Sequence, residues 1–508
     1  MTSERIGFWG GLIVFAVMLF LPAPTGMEPS AWHVAALTIL MATYWMTQAL
    51  PLTVTALLPF LALPLMNIMT AQDVAKEYYS PILFLILGGA FLALTIERTG
   101  MHRRVALAIL AKSGHSVTGL MIAFMGSTAL LSMVMSNTSI ALIMVPIAIA
   151  VLAAGGTKPG ETDGLAGALI MGVAFAASIG GLGTLVGSPT NAIAAALVEK
   201  QLGIEINFLT WMLYGLPVVI IGVPLCAFIL MRVQNVTAGS FDVDAARVAI
   251  GKPRPMSVAE KRLVPIFLLV IGMWIGQPLL EPLLPKGGIT DGSIAIAGSL
   301  LLFLIPDGTG RPLLTWQEAD RAPWGVIMMF GGGLALAAGI TQSGLAGWLG
   351  EALEPLSVVH PIIIALALTA LVILITEFAS NVATASGVLP VVAGLVAATG
   401  ADPWLMAMAA FMASTFSVLN TSLPLLPAPE MAWLAEDDSV TVTPAPGCGL
   451  AAAPATGGTI LYDAYVAAYD AAAAHPAYSA HASCLSLQSC LLLLLLSNNS
   501  PSPPSAPP

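Results

Sequence analysis

The chain has 508 residues, of which 57% are hydrophobic and only 9% charged, with a formal net charge of −10. Soluble domains carry about 25% charged residues, so this composition leaves too little polar surface for a water-soluble fold and indicates an integral membrane protein. Four cysteines, three of them in the C-terminal tail, exclude a disulfide scaffold, and all 17 Lys and Arg lie at or before Arg321, with no basic surface for nucleic acid.

In chain order, the apolar run to Leu21 reads as a first membrane helix rather than a signal peptide. Arg5 is offset by Glu4, and Pro22-Ala23-Pro24 is a poor small-residue cleavage site. A spanning helix needs roughly 20 apolar residues. The candidates are 7–23, 32–48, 51–69, 81–97, 166–182, 208–231, 262–283, 292–306 and 324–341. Two longer apolar tracts, 117–154 and 358–400, each carry a Ser-Asn pair near the middle. Such a tract predicts a re-entrant helical hairpin. Backbone left unpaired at its break costs several kcal/mol in lipid and has to be buried in protein or face water.

Basic residues orient the chain. Arg98, Arg103, Arg104 and Lys112 mark 98–112 as cytoplasmic, whereas the corresponding stretch 342–356 has no Lys or Arg and carries Glu351 and Glu354. The linker 232–262, with Arg247, Lys252, Arg254 and Lys261, also reads as cytoplasmic. The segment 101–112 predicts an amphipathic helix at the membrane surface, and Trp211, Trp274 and Trp324 read as interface anchors. After about Asp438 the text turns Ala/Pro/Ser-rich. That tail is either disordered or the product of a shifted reading frame.

The halves share one register. Adding 244 carries Gly88-Gly89 to Gly332-Gly333, Gly100 to Gly344, Ser136-Asn137 to Ser380-Asn381 and Pro146 to Pro390. Two copies of one unit with matching polar breaks, on segments of opposite orientation, predict inverted repeats with a transport site at the breaks. In the first break, Ser132 and Ser136 are four apart and read as one helical face aimed at Asn137. Hydroxyl, amide and freed carbonyl oxygens are hard, neutral ligands for Na+, and the resuming helix offers its N-terminal amides to an anion. The second break repeats the design with Thr376, Ser380 and Asn381. A third element, from Gly180 to Asn191, holds four glycines and Ser188-Pro189-Thr190-Asn191, and predicts an unwound segment.

The Ser-Asn-Thr hairpin at 136–138, the Thr-Glu-Phe-Ala-Ser-Asn run at 376–381 and the Gly-Ser-Pro-Thr-Asn loop at 187–191 together resemble the divalent anion/sodium symporter family, carriers of succinate, malate, citrate and sulfate. The likeness covers roughly residues 30 to 420. It implies an all-α polytopic membrane protein with two inverted repeats, each bearing a re-entrant hairpin. It further implies a homodimer moving its substrate elevator-fashion. One sodium site would use Ser132, Ser136, Asn137 and backbone near Gly183, and a second Thr376, Ser380 and Asn381. Substrate carboxylates would meet Asn137, Thr138, Asn381 and the Ser188-Pro189-Thr190 tip. The sequence departs from the family at Val382, where Thr is common, and the second unwound loop is not recognisable after Leu419.

The expected organisation is scaffold helices in 1–80, a first repeat in 81–231 with hairpin 117–154, and a cytoplasmic linker at 232–262. Scaffold helices in 263–323, a second repeat in 324–430 with hairpin 358–400, and an atypical tail at 431–508 follow. The expected function is sodium-coupled symport of dicarboxylates of the succinate, malate and fumarate type, or related divalent anions, in the cell membrane (the inner membrane in a bacterium). A proton-coupled or exchange-type carboxylate or sulfate carrier is the alternative, with the intramembrane carboxyl of Glu377 as its candidate proton group. No His-Glu-x-x-His motif, Ser/His pair or carboxylate-rich cluster supports an enzyme.

Overall fold

A computed structural model of the chain describes residues 3–158, 163–236, 241–250, 255–280, 282, 285, 288–353, 360–378, 381, 384 and 385. The second arm of the tract 358–400, Ser380, Val382, the side chain of Glu377 and the tail 431–508 lie outside the described residues. Among those residues the elements are helices. They are α1 (Ser3–Phe20), α2 (Pro29–Thr47), α3 (Leu52–Thr55), α4 (Leu58–Leu65), α5 (Ala71–Glu77), α6 (Ile82–Thr99), α7 (Met101–Leu110), α8 (Val117–Ser132), α9 (Asn137–Ala154) and α10 (Gly164–Gly181). They continue with α11 (Pro189–Leu202), α12 (Phe208–Val233), α13 (Val243–Ile250), α14 (Val258–Leu280), α15 (Asp291–Leu304), α16 (Trp316–Ala319), α17 (Trp324–Gln342), α18 (Leu345–Leu353) and α19 (Pro361–Phe378). Seven of the described helices are long and apolar enough to cross a membrane, so the protein is a multi-pass membrane protein.

Helix starts follow local chemistry. Ser116 caps α8 by accepting from the Gly119 amide, Asn207 caps α12 through Thr210, and Thr290 with Ser293 forms a capping box on α15. The chain turns from α6 into α7 at Gly100 and from α17 into α18 at Gly344, whose φ angles are 75° and 81°. Only glycine adopts that left-handed conformation without strain. The two turns occupy the same register in the two halves.

One hydrophobic cluster joins α6 through α15 and takes in Ile364, Leu368 and Val372 of α19, which recur every four residues along one face. A second joins α2, α4, α5, α17 and α18 around Met41, Trp45, Leu63 and Leu336. Within the first, α6 and α15 run side by side in the same direction. Ser299 Oγ lies 3.3 Å from the Gly88 carbonyl, Phe91 meets Phe303 edge-on at 5.7 Å, and Arg98 reaches the loop after α15.

Charged contacts gather at that end of the helices, alongside the linker. Arg98 meets Asp307 at 2.5 Å and Glu318 at 3.1 Å and donates to the carbonyls of Pro312 and Leu313. Arg104 of α7 grips Glu260 of α14 with two bonds of 2.7 and 3.1 Å, and Arg311 holds Glu318 at 2.6 Å. The hairpin formed by α8 and α9 returns to this surface. His115, before α8, pairs with Asp244 at 2.6 Å, and the Gly155 carbonyl, after α9, accepts from the Asp242 amide at 3.0 Å. Both outer ends of the pair lie against the linker. The pair turns back.

The tryptophans divide. Trp324 is 40% exposed, but Trp211 and Trp274 are buried, with indole nitrogens donating to the carbonyls of Leu182 and Asp291. Those two are hydrogen-bonded core residues rather than interface anchors. A buried indole N–H requires an acceptor, and an interrupted helix and a helix start supply them.

Removing one partner of a buried ion pair strands the other. We expect Arg98→Ala to destabilise the protein, read as a lower unfolding temperature in detergent, and an unchanged temperature would mean that Arg98 does not tie α6 to the loop after α15. Donors from the Thr309 hydroxyl and amide, and then the Arg98 guanidinium, bring the Asp307 carboxyl down to about 2. Because the folded value is depressed, its stabilisation is complete above the unfolded value of about 3.9 and is lost as pH falls toward about 2. Acid titration of the unfolding temperature should show an Arg98-dependent component in that window and none above pH of about 5.

Candidate functional site

The site starts where two helices stop. α8 ends at Ser132 and α9 begins at Asn137, with Ser136 as its N-cap. The buried Ser132 hydroxyl lies 2.6 Å from the Ala177 carbonyl oxygen and 2.9 Å from Asn137 Oδ1. With a single proton it donates to one of them at a time. Three oxygens share that proton, and each is a neutral, hard ligand of the kind that suits sodium.

Ser136 does not join them. Helical-type bonds continue to Met135, whose amide donates to the Leu131 carbonyl, and the backbone becomes extended at Ser136, whose hydroxyl turns to α9. Ser136 accepts from the Ser139 amide at 3.2 Å and lies 2.8 Å from the Ser139 hydroxyl. Ser136 and Thr138 are exposed and Asn137 half-buried, so the tip opens away from the cluster.

The third sequence element is also interrupted as expected. α10 stops at Gly181, α11 starts at Pro189, and residues 182–188 between them are not helical. The freed carbonyls have donors. Asn191 Nδ2 donates to Gly181 at 2.7 Å and to Thr184 at 2.8 Å, and Trp211 Nε1 donates to Leu182 at 2.9 Å. Thr184 donates in turn to the Met133 carbonyl and accepts from the Gly187 amide. Gly183 sits in this stretch beside Met133.

Gly181 is the meeting point of the two breaks. A β-carbon there would come within 2.4 Å of Asn137 Oδ1, while its carbonyl is held by Asn191. The first turns of α9 and α11 therefore converge on one backbone position, bringing two helix N-termini to the same place. Ser188 and Thr190 are buried and face each other at 2.6 Å, with Pro189 half-buried between them.

In the second half, Thr376 is buried and its hydroxyl donates to Asn381 Oδ1 at 2.7 Å. This is the Ser132–Asn137 contact displaced by 244 residues, with a hydroxyl five residues before a carboxamide in both cases. Ser380, between them, lies outside the described residues. Sequence reasoning missed three contributors: the Ala177 carbonyl, the Trp211 indole and the Thr184 hydroxyl. A backbone carbonyl has no residue type to betray it, and Trp211 lies far from the motif in sequence. Thr184 does lie inside the glycine-rich stretch, and its side chain was legible as a polar group there.

Asn191→Ala removes the donors of two carbonyls in the unwound segment. At about 1–3 kcal/mol for each buried group left unsatisfied, the variant should lose several degrees of thermal stability in detergent. Ser188→Ala, which removes one partner of a hydroxyl pair, should lose less. Equal stability of Asn191→Ala and the parent protein would mean that water replaces the amide.

The family model described as the sodium:sulfate symporter transmembrane region matches residues 6–431. A sodium-dependent dicarboxylate transporter of Staphylococcus saprophyticus is 37% identical over 430 residues, covering 81% of this chain and 82% of its own. One from Staphylococcus aureus strain MRSA252 is 38% identical over 440 residues, covering 83% and 84%. The matched region contains both Ser-Asn breaks and the unwound loop and stops short of most of the tail. The chain belongs to the sodium:sulfate symporter family.

Proposed function

We propose that this cell-membrane protein is a sodium-coupled symporter of dicarboxylates of the succinate, malate and fumarate type, or of closely related divalent anions. The observation that carries the reading is the Ser132–Asn137–Ala177 oxygen cluster beside two converging helix N-termini, repeated as Thr376–Asn381 in the other half. Names carried by relatives of 37–38% identity agree with it.

The chemistry divides between cation and anion. Ser132, Asn137, the backbone near Gly183 and Ala177 form the first sodium site, and Thr376, Ser380 and Asn381 the second. Ser136 contributes by capping α9, which fixes the position of Asn137. The anion meets Asn137, Thr138, Asn381 and the Ser188-Pro189-Thr190 tip, where amides of α9 and α11 point at it. Sodium takes the oxygens that otherwise compete for one proton, and so orders Asn137 toward the substrate. Coupling then arises from differential binding: the anion site is complete only when the ion is held.

The helix directions support reading the two halves as inverted repeats. α6 runs from its Gly88-Gly89 pair to Arg98, which is bonded to Glu318 of α16. α17, the matching helix of the second half, starts five residues after α16 ends, with the Trp324 indole bonded to the Asp320 carbonyl at 3.1 Å. Equivalent helices thus end and begin at one surface, as inverted repeats require. On this reading 81–231 and 324–430 are the repeats, 1–80 and 263–323 the scaffold and 232–262 the cytoplasmic linker. A homodimer with elevator-type movement is the corresponding assembly.

Labelled succinate uptake into proteoliposomes tests the proposal. Uptake should require an inward sodium gradient, and Asn137→Ala should abolish it while the protein stays folded. Gly181→Ala should act in the same direction by displacing the Asn137 carboxamide. Uptake driven by a proton gradient without sodium would favour the proton-coupled alternative. Val382→Thr should change the preference among succinate, citrate and sulfate, and an unchanged preference would place residue 382 away from the substrate.

A further inference from the structure

At the linker-side ends of α14 and α15 lies a cleft of about 490 Å³. Lys261 and Arg262 stand at its polar end on the first turns of α14. Pro265, Ile266 and Leu269 continue the same helix face, and Ile305 with Pro306 forms the opposite wall. Leu268, Leu269, Leu300 and Leu304 around it are more than half exposed, so this flank of the protein is turned toward the bilayer.

The two cations differ from the paired arginines of this surface. Arg98, Arg104 and Arg311, at the same surface, each hold a carboxylate. Lys261 and Arg262 hold none among the described residues, and Arg262 is instead fixed by donating to the Pro306 carbonyl at 2.6 Å. Adjacent positive charges without a carboxylate call for an external anion. An aliphatic wall beginning one turn below them calls for a hydrocarbon chain attached to it. A small inorganic anion would use the charges and leave the wall unfilled.

We propose that this cleft binds an anionic phospholipid of the linker-side leaflet, with its phosphate on Lys261 and Arg262 and an acyl chain along Pro265, Ile266 and Leu269. Arg262, already anchored by Pro306, presents its remaining N–H groups as a fixed fork, and Lys261 adds a mobile point charge. A bound lipid would fasten α14 to the end of α15, the helices that Arg104 and Arg98 tie to the first repeat. The site is independent of which anion the protein transports.

Native mass spectrometry of the whole chain released from nanodiscs of equimolar phosphatidylglycerol and phosphatidylethanolamine tests this. The parent protein should retain phosphatidylglycerol preferentially, by roughly 10–30-fold for two cations near a membrane surface. Lys261→Gln/Arg262→Gln should bring the ratio close to one, and Lys112→Gln, which removes a cation elsewhere on this surface, should leave it unchanged. Dihexanoyl phosphatidylglycerol should be retained less than the dioleoyl form because it fills less of the wall. Equal retention of the two headgroups by the parent protein overturns the proposal, and needs no variant to fold. Full displacement by millimolar inorganic phosphate, or indifference to chain length, would assign the site to a soluble anion instead.

Discussion

The structure depends on one constraint: a helix may be interrupted inside a membrane only where other groups satisfy the backbone that the interruption frees. The segment 182–188 is such an interruption. The carbonyls of Gly181, at its edge, and of Leu182 and Thr184 within it are met by Asn191 and Trp211. Asn191 comes from the first turn of the helix that resumes, so the break largely braces itself. Trp211 comes from α12 and ties the break to the rest of the bundle. A segment held this way keeps polar oxygens in an apolar setting at a cost that hydrogen bonds offset, and those oxygens are the raw material of an ion site.

The hairpin brings the second interruption to the first. α8 runs parallel to α10, so its end at Ser132 arrives beside Ala177, and the chain then turns back through Ser136 into α9. The outer ends of α8 and α9 both lie at the linker, where Asp242 and Asp244 hold them, and the tip between them lies at the opposite end of the pair. A missing side chain at Gly181 then lets Asn137 approach the α10 backbone. The three devices act together: a turned-back hairpin, a braced gap and a glycine at the crossing.

Charge plays a different part. The paired groups Arg98–Asp307 and Arg104–Glu260 lie at the ends of helices, where they join elements that in lipid gain little from apolar burial alone. The candidate site contains no ionised side chain among its described residues. Neutral ligands suit a carrier that must release both ion and anion. A buried carboxylate would hold sodium more tightly and repel a dianion.

The sequence by itself determined the class and the outline. Composition requires a membrane protein, because so few charged residues cannot cover a soluble surface. The 244-residue register sets Gly100 against Gly344 and Ser132–Asn137 against Thr376–Asn381, and the two members of each pair take the same geometry. Tertiary structure decided which of the motif's groups meet. It turned Ser136 into a helix cap, since the backbone becomes extended there, and it buried Trp211 and Trp274, since an indole N–H finds its acceptor where a neighbouring helix is interrupted or starts. It also supplied the Ala177 carbonyl. Periodicity and spacing report local geometry and repetition, but a contact between a side chain and a distant backbone oxygen exists only once the helices have packed.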